Sequence, residues 1–100
     1  MTDVIVRMWE AKIQNGEIGA SVQWVVNHLV PSARQAGASS VEVCYAPDPD
    51  PRVVVITRWT TETQWREPTI ETGIILRSHA WSFRSLTLDE VGNDEVGNSD

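Results

Sequence analysis

Hydrophobic and polar positions change period several times along this chain, and each change marks an element. Residues 4–9 are β-branched or aromatic apart from Arg7 and Met8. Their even positions, Val4, Val6 and Met8, are all apolar, whereas the odd ones, Ile5, Arg7 and Trp9, are mixed, which predicts a strand leading to the Asn15-Gly16 turn signal. From residue 18 the period lengthens: Ile18, Val22, Val25, Val26, Leu29, Ala33 and Ala36 recur at three- and four-residue spacing, one side of an α-helix stopped by Gly37. Pro31 lies inside that pattern, deletes a backbone donor and crowds the preceding turn, so a kink near His28–Val30 or two helical pieces is expected. Residues 41–45 alternate again as a second strand. Pro47, Pro49 and Pro51 then make residues 46–52 a stiff connection, probing no ladder of their own. Residues 53–59 form the strongest strand, apolar on both faces at its start as a central strand would be. Thr61 with Gln64 three residues on fits a capping box, and Glu62 suits the positive helix end, so a second helix is expected, limited or divided by Pro68, with Gly73 ending the region. Residues 79–84 give a last strand. The order β-α-β-β-α-β predicts an α+β fold: an antiparallel four-stranded sheet with helices on one face.

Parity divides the strands into two faces. One set, Val4, Val6, Met8, Val41, Val43, Tyr45, Val53, Val55, Thr57, Trp59, His79, Trp81 and Phe83, is bulky and nearly charge-free, and is expected under the helices. The other contains Ile5, Arg7, Trp9, Glu42, Cys44, Val54, Ile56, Arg58 and Arg84. That second face is too apolar for bare water and too charged for a sealed core. It is expected to pack on a second copy through Arg7, Trp9, Arg58 and Arg84. Trp24, nearly opposite the helix stripe, is expected to be exposed, and Cys44 to be a small buried hydrophobe.

Charge narrows the function classes. The 100 residues carry 8 lysines and arginines against 14 acids, a net charge of −6, which argues against a nucleic-acid binder. Five of those acids fall in residues 89–100, where Asp-Glu-Val-Gly-Asn occurs twice in tandem. The reading is a single domain over 1–88 followed by an acidic, disordered tail over 89–100. One cysteine excludes an intrachain disulfide and a cysteine-based zinc site. No apolar run approaches the ~20 residues of a membrane span, and the start of the chain lacks a signal-peptide pattern, so a cytoplasmic protein is expected. Glycine-rich phosphate loops, nucleophile elbows and metalloprotease motifs are absent from the sequence.

The element order, the opening strand 4–9 running toward Gly16, and the run from Val53 to Trp59 leading directly into Thr61-Glu62 together resemble the dimeric α/β-barrel proteins. This is the ferredoxin-like superfamily that includes antibiotic-biosynthesis monooxygenase-like domains. The resemblance covers about residues 3–86, and Trp59 matches a tryptophan that recurs there before a short helix. It implies a dimer joined sheet to sheet and, if catalytic, a cofactor-independent monooxygenase. The haem-degrading branch pairs that tryptophan with an asparagine in the first strand and a histidine in the second helical region. Here Arg7, Met8 and Trp9 stand at the first place and residues 60–73 contain no histidine, so only Trp59 carries over.

Candidate chemistry centres on the bulky face. His79 and Tyr45 are the candidate catalytic groups, as proton acceptor and polar anchor, with Trp59, Trp81, Phe83 and His28 as candidate ligand contacts. Neither a cofactor nor a metal is expected. Two functions stand open: binding or oxidation of a small apolar molecule between sheet and helices, or a non-enzymatic dimeric interaction module with a filled aromatic core. A cavity enclosed by those aromatics would favour the first, and native packing density the second.

Overall fold

In the computed structural model, which describes residues 3–86, the chain forms one four-stranded antiparallel sheet with a helical layer and an extended crossover on the same face. Strands β1 (Asp3–Ile13), β2 (Ser40–Ala46), β3 (Arg52–Trp59) and β4 (Ile75–Leu86) lie in the order β2-β3-β1-β4. Between β1 and β2 the chain forms helix α1 (Ile18–Trp24), a π-helical turn (Val25–Leu29) and helix α2 (Val30–Gln35). The acidic tail expected over 89–100 lies outside the described residues.

Pro31 explains the wide turn. In a regular α-helix its ring would press on the Asn27 carbonyl, and it has no N–H to donate there. The backbone widens just before it, and the Val30 N–H reaches back five residues to the Val25 carbonyl. The inserted residue turns the downstream stripe, so that Leu29, Val30 and Ala33 are buried in line with Ser21 and Val25 before them. Gly37, at φ 105°, closes the helix: its N–H bonds the Arg34 carbonyl and the Ala38 N–H bonds the Ala33 carbonyl, both at 3.1 Å. These are the paired bonds of a Schellman ending, which needs the left-handed residue that glycine supplies.

The core lies between this layer and β1 and β3. Ala11, Ile13, Val53 and Val55 meet Val25, Leu29 and Val30, with Trp9 and Ile75 at the margin. Its odd-numbered β1 residues correct the expected partition, which assigned Val4, Val6 and Met8 to the helix face. The strand continues to Ile13, and its best-buried half is 9–13, where Ala11 and Ile13 are 0% and 1% exposed. Register carries the inversion across the sheet, since Trp9 pairs with Val55 and with Ala80, whereas Met8 pairs with Ile56 and with Trp81. Trp59 and His79 therefore occupy opposite faces. In β4 a register shift opposite Lys12/Ile13 lets Ile75 point into the core while Ser78, Ala80 and Ser82 take the helix face beyond it.

The expected second helix over 61–73 is replaced by an extended crossover. Trp59 pairs with Ile5 and Ile75 pairs with Ile13, so residues 60–74 must travel eight positions along β1, about 27 Å at strand spacing. A helix stopped by Pro68 would supply only ~10 Å of that. The local hydrogen bonds also favour extension. The Thr63 hydroxyl takes the Trp65 amide at 3.0 Å, Trp65 Nε1 donates to Ser32 Oγ at 2.9 Å, and the Trp65 ring packs 5.4 Å from Trp59. Glu67 receives Arg7 Nε and Nη2 at 2.7 and 2.9 Å, with the two side chains 10–12% exposed. Arg7, expected on the outer face, thus stands on the inner one and anchors the crossover.

At the far end of the sheet, Arg52 bridges Asp50 and Glu10, fastening the proline-rich β2–β3 connection to β1. The Asp50 carboxyl is held below its usual range chiefly by hydrogen bonds from Arg52, then by the charges of Arg52, Lys12 and Arg77, with desolvation acting the other way.

Leu29→Ala is expected to cost about 2–5 kcal/mol in chemical denaturation, and Val26→Ala, on the exposed side of the same turn, at most ~0.5 kcal/mol. Glu67→Gln should cost about 3 kcal/mol, because it leaves a buried guanidinium uncompensated, and Arg7→Met with Glu67→Leu should recover most of that loss. A depressed carboxyl contributes stability above its unfolded value of 3.8 and loses it as pH falls through the folded value. The melting-temperature gap between the native chain and Asp50→Asn is therefore expected to be flat above about pH 5 and to shrink below about pH 4.

Candidate functional site

With helices and crossover on one side, the opposite side of the sheet carries no layer from the described residues. Val6 and Met8 of β1, Val54 and Ile56 of β3, and Trp81 and Phe83 of β4 share that open face, as their cross-strand register requires. Trp81 is 43% and Phe83 51% exposed, high values for large aromatics in the sheet of a small domain. The division of sizes in β4 accounts for this. Small residues, Ser78, Ala80 and Ser82, take the helix and crossover side, and the large ones, His79, Trp81 and Phe83, alternate outward. The rim of the open face is charged in both signs. Arg58 lies 3.7 Å from Glu42 at one margin, and Glu10 meets Arg52 at 3.0 Å at the other.

The candidate site residues separate between these two faces. His79 is exposed on the open face, 5.8 Å from the Trp81 ring. Phe83 follows on the same face. Tyr45 faces the helix side but at edge strand β2, beyond the helical cover, where it is 61% exposed. Trp59 is 2% exposed, with its Nε1 donating to Thr57 Oγ1 at 2.9 Å, and it has no open space in which to receive a ligand alongside His79. His28 is exposed on the π-helical turn, its ring 5.5 Å from Trp24, at a shallow cleft bordered by Pro68 and Glu71. The expected convergence of His79, Tyr45, Trp59, Trp81 and Phe83 between sheet and helices does not occur, because the inverted parity of β1 and β4 divides them.

Further corrections follow from the same inversion. Trp9 and Arg84 belong to the helix side together with Arg7, and of the four residues expected at a dimer surface only Arg58 is on the open face. Trp24 is half-buried, with its ring 6.4 Å from that of Trp9 and inclined 28° to it, because it packs against the core beside β1. Cys44 is exposed on edge strand β2, with Sγ 3.8 Å from Glu42, and does not fill a core position. Sequence reasoning missed Glu67 and Ser82, the two partners of Arg7. A lone arginine in an apolar strand calls for a buried acid, and Glu67 beside Pro68 was the signal that could have identified one.

Between sheet and helix the space is filled by Trp9, Ile13, Leu29, Val53, Val55 and their neighbours. Among the described residues, no three histidine, cysteine or acidic side chains converge as metal ligands, and no helix is long and apolar enough to cross a membrane. The arrangement offers a contact surface more readily than a reaction chamber: an apolar centre with a mixed-charge rim. No protein-family model matches this chain, and no curated protein matches its sequence.

Proposed function

We propose that the chain is a homodimeric α+β module whose two copies join through the open faces of their sheets. The open apolar face, where exposed Trp81 and Phe83 stand beside half-buried Val6, Met8, Val54 and Ile56, is the observation that carries this reading. Its size supports a second copy as the occupant. Four strands and the 8 residues of β3 define a face of roughly 19 by 27 Å, about 500 Å² in projection and more as accessible surface. A standard stable interface takes about 800 Å² from each partner. Two-fold pairing requires a self-complementary rim, and Arg58 with Glu42 and Arg52 with Glu10 supply both signs at the two margins. The face is isolated from the crossover and helix, so association leaves the core of each copy unchanged.

The strand order, with every neighbour antiparallel and both crossovers on one face, supports grouping the fold with the ferredoxin-like, dimeric α/β-barrel type. An extended segment then stands in the place of that type's second helix. The filled core favours an interaction module over an oxygenase acting between sheet and helices. On this reading His79, Trp81 and Phe83 act as contact residues between copies.

Sedimentation equilibrium of the full chain should give a dimer at micromolar concentration. Met8→Glu and Trp81→Glu should each weaken it at least ~100-fold with little change in the far-ultraviolet spectrum, since both side chains lie outside the core. A monomer at about 100 μM, or a dimer indifferent to both substitutions, overturns the proposal.

A further inference from the structure

The helix side of the sheet has its own feature beyond the dimer surface. Where the start of the crossover passes over the ends of β1 and β4, a cleft of about 270 Å³ is lined by Arg7, Glu62, Thr63, Arg66, Ser82 and Arg84, among others. Three of the chain's eight basic residues thus meet in one place in a protein whose net charge is −6. We infer that this cleft binds a small carboxylate, with a hydroxy acid as the best-suited class.

Donor accounting supports the assignment. A guanidinium has five N–H groups. Arg7 gives one from Nε and one from Nη2 to Glu67, and one from Nη1 to Ser82 Oγ at 3.0 Å, so two have no acceptor among the described residues. Arg84 meets Glu62 through Nη2 at 2.6 Å. Arg66 donates to the Trp65 carbonyl at 2.8 Å and makes no ion pair among the described residues. Glu67 holds the Arg7 guanidinium flat and in place, which lowers the ordering cost of a further planar, two-pronged contact.

Charge chooses the ligand. Three guanidinium groups against Glu62 and Glu67 leave one net positive charge, which a single carboxylate neutralises. A phosphate dianion would leave the cleft negative beside two glutamates. The Thr63 and Ser82 hydroxyls are placed in the lining to pair with a ligand hydroxyl, while Ile5 supplies apolar wall. Two sources could provide that carboxylate: a free hydroxy acid, or one of the five acids in residues 89–100 of the same chain.

The test is titration of the full chain with sodium glycolate, followed through the arginine Nε–H resonances, with ethylene glycol as the neutral control and inorganic phosphate as the competitor class. Saturable shifts at millimolar glycolate are expected for Arg7, Arg66 and Arg84, with none from ethylene glycol. Arg66→Gln and Arg84→Gln, both at exposed positions, should each weaken binding at least about tenfold. A full-length variant carrying Asp89→Asn, Glu90→Gln, Asp94→Asn, Glu95→Gln and Asp100→Asn separates the sources. Tighter glycolate binding in it that persists at about 0.5 M salt, where general charge repulsion is screened, identifies the chain's own tail as the resident carboxylate, and binding unchanged at that salt identifies a free ligand. Glycolate shifts absent from both the native chain and this variant, insensitive to Arg66→Gln and Arg84→Gln, or matched by phosphate at equal concentration overturn the assignment.

Discussion

The ion pair between Arg7 and Glu67 allows a stretch without regular secondary structure to serve as the second cover of the sheet. An extended segment satisfies none of its own backbone groups and buries little per residue, so it stays in place only where side chains fasten it. Here a central-strand guanidinium holds Glu67 with both oxygens, two residues after Trp65 is fixed against Trp59 and Ser32. The pair is buried enough that neither member could be left alone, and that mutual dependence ties the crossover to β1.

The placement of the crossover then determines the two faces of the sheet. Because the crossover and helices lie on one side of the sheet, that side of β4 carries the small residues Ser78, Ala80 and Ser82, and the bulky His79, Trp81 and Phe83 alternate to the other side. The open apolar face is thus not an independent oddity. It is the complement of a thin cover, and its aromatics stand outward because the inner layer has no depth for them.

Much of the fold was legible in the sequence. Four strands, a helix interrupted at Pro31, the Gly37 ending and the central position of Val53–Trp59 all follow from local periods and local backbone chemistry, which a single chain displays directly. The faces of β1 and β4 were not legible. The window 4–9 reads its even positions as the apolar ones, whereas Ala11 and Ile13, beyond that window, decide which side is buried. A strand with apolar residues on both faces carries no parity of its own, and cross-strand register, a long-range property, assigns it. The crossover failed for a related reason: Thr61 and Gln64 carry a helix-start pattern, but the 27 Å journey along β1 and the hold of Glu67 outweigh it. Of the candidate site, the individual aromatics and histidines were identified as unusual, but their grouping depended on the same parity and separated with it.

The wide turn at Val25–Leu29 amounts to one surplus residue threaded into an ordinary helix. Each residue advances an α-helix by 100°, so excising one there would swing Val30 and Ala33 a quarter-turn away from the strands they cover. Trp24 could not keep its station over Trp9 with His28 still beside it. The length of this helix is consequently a quantity counted to the single residue, and tolerance of insertions or deletions must be sought in the loops on either side of it.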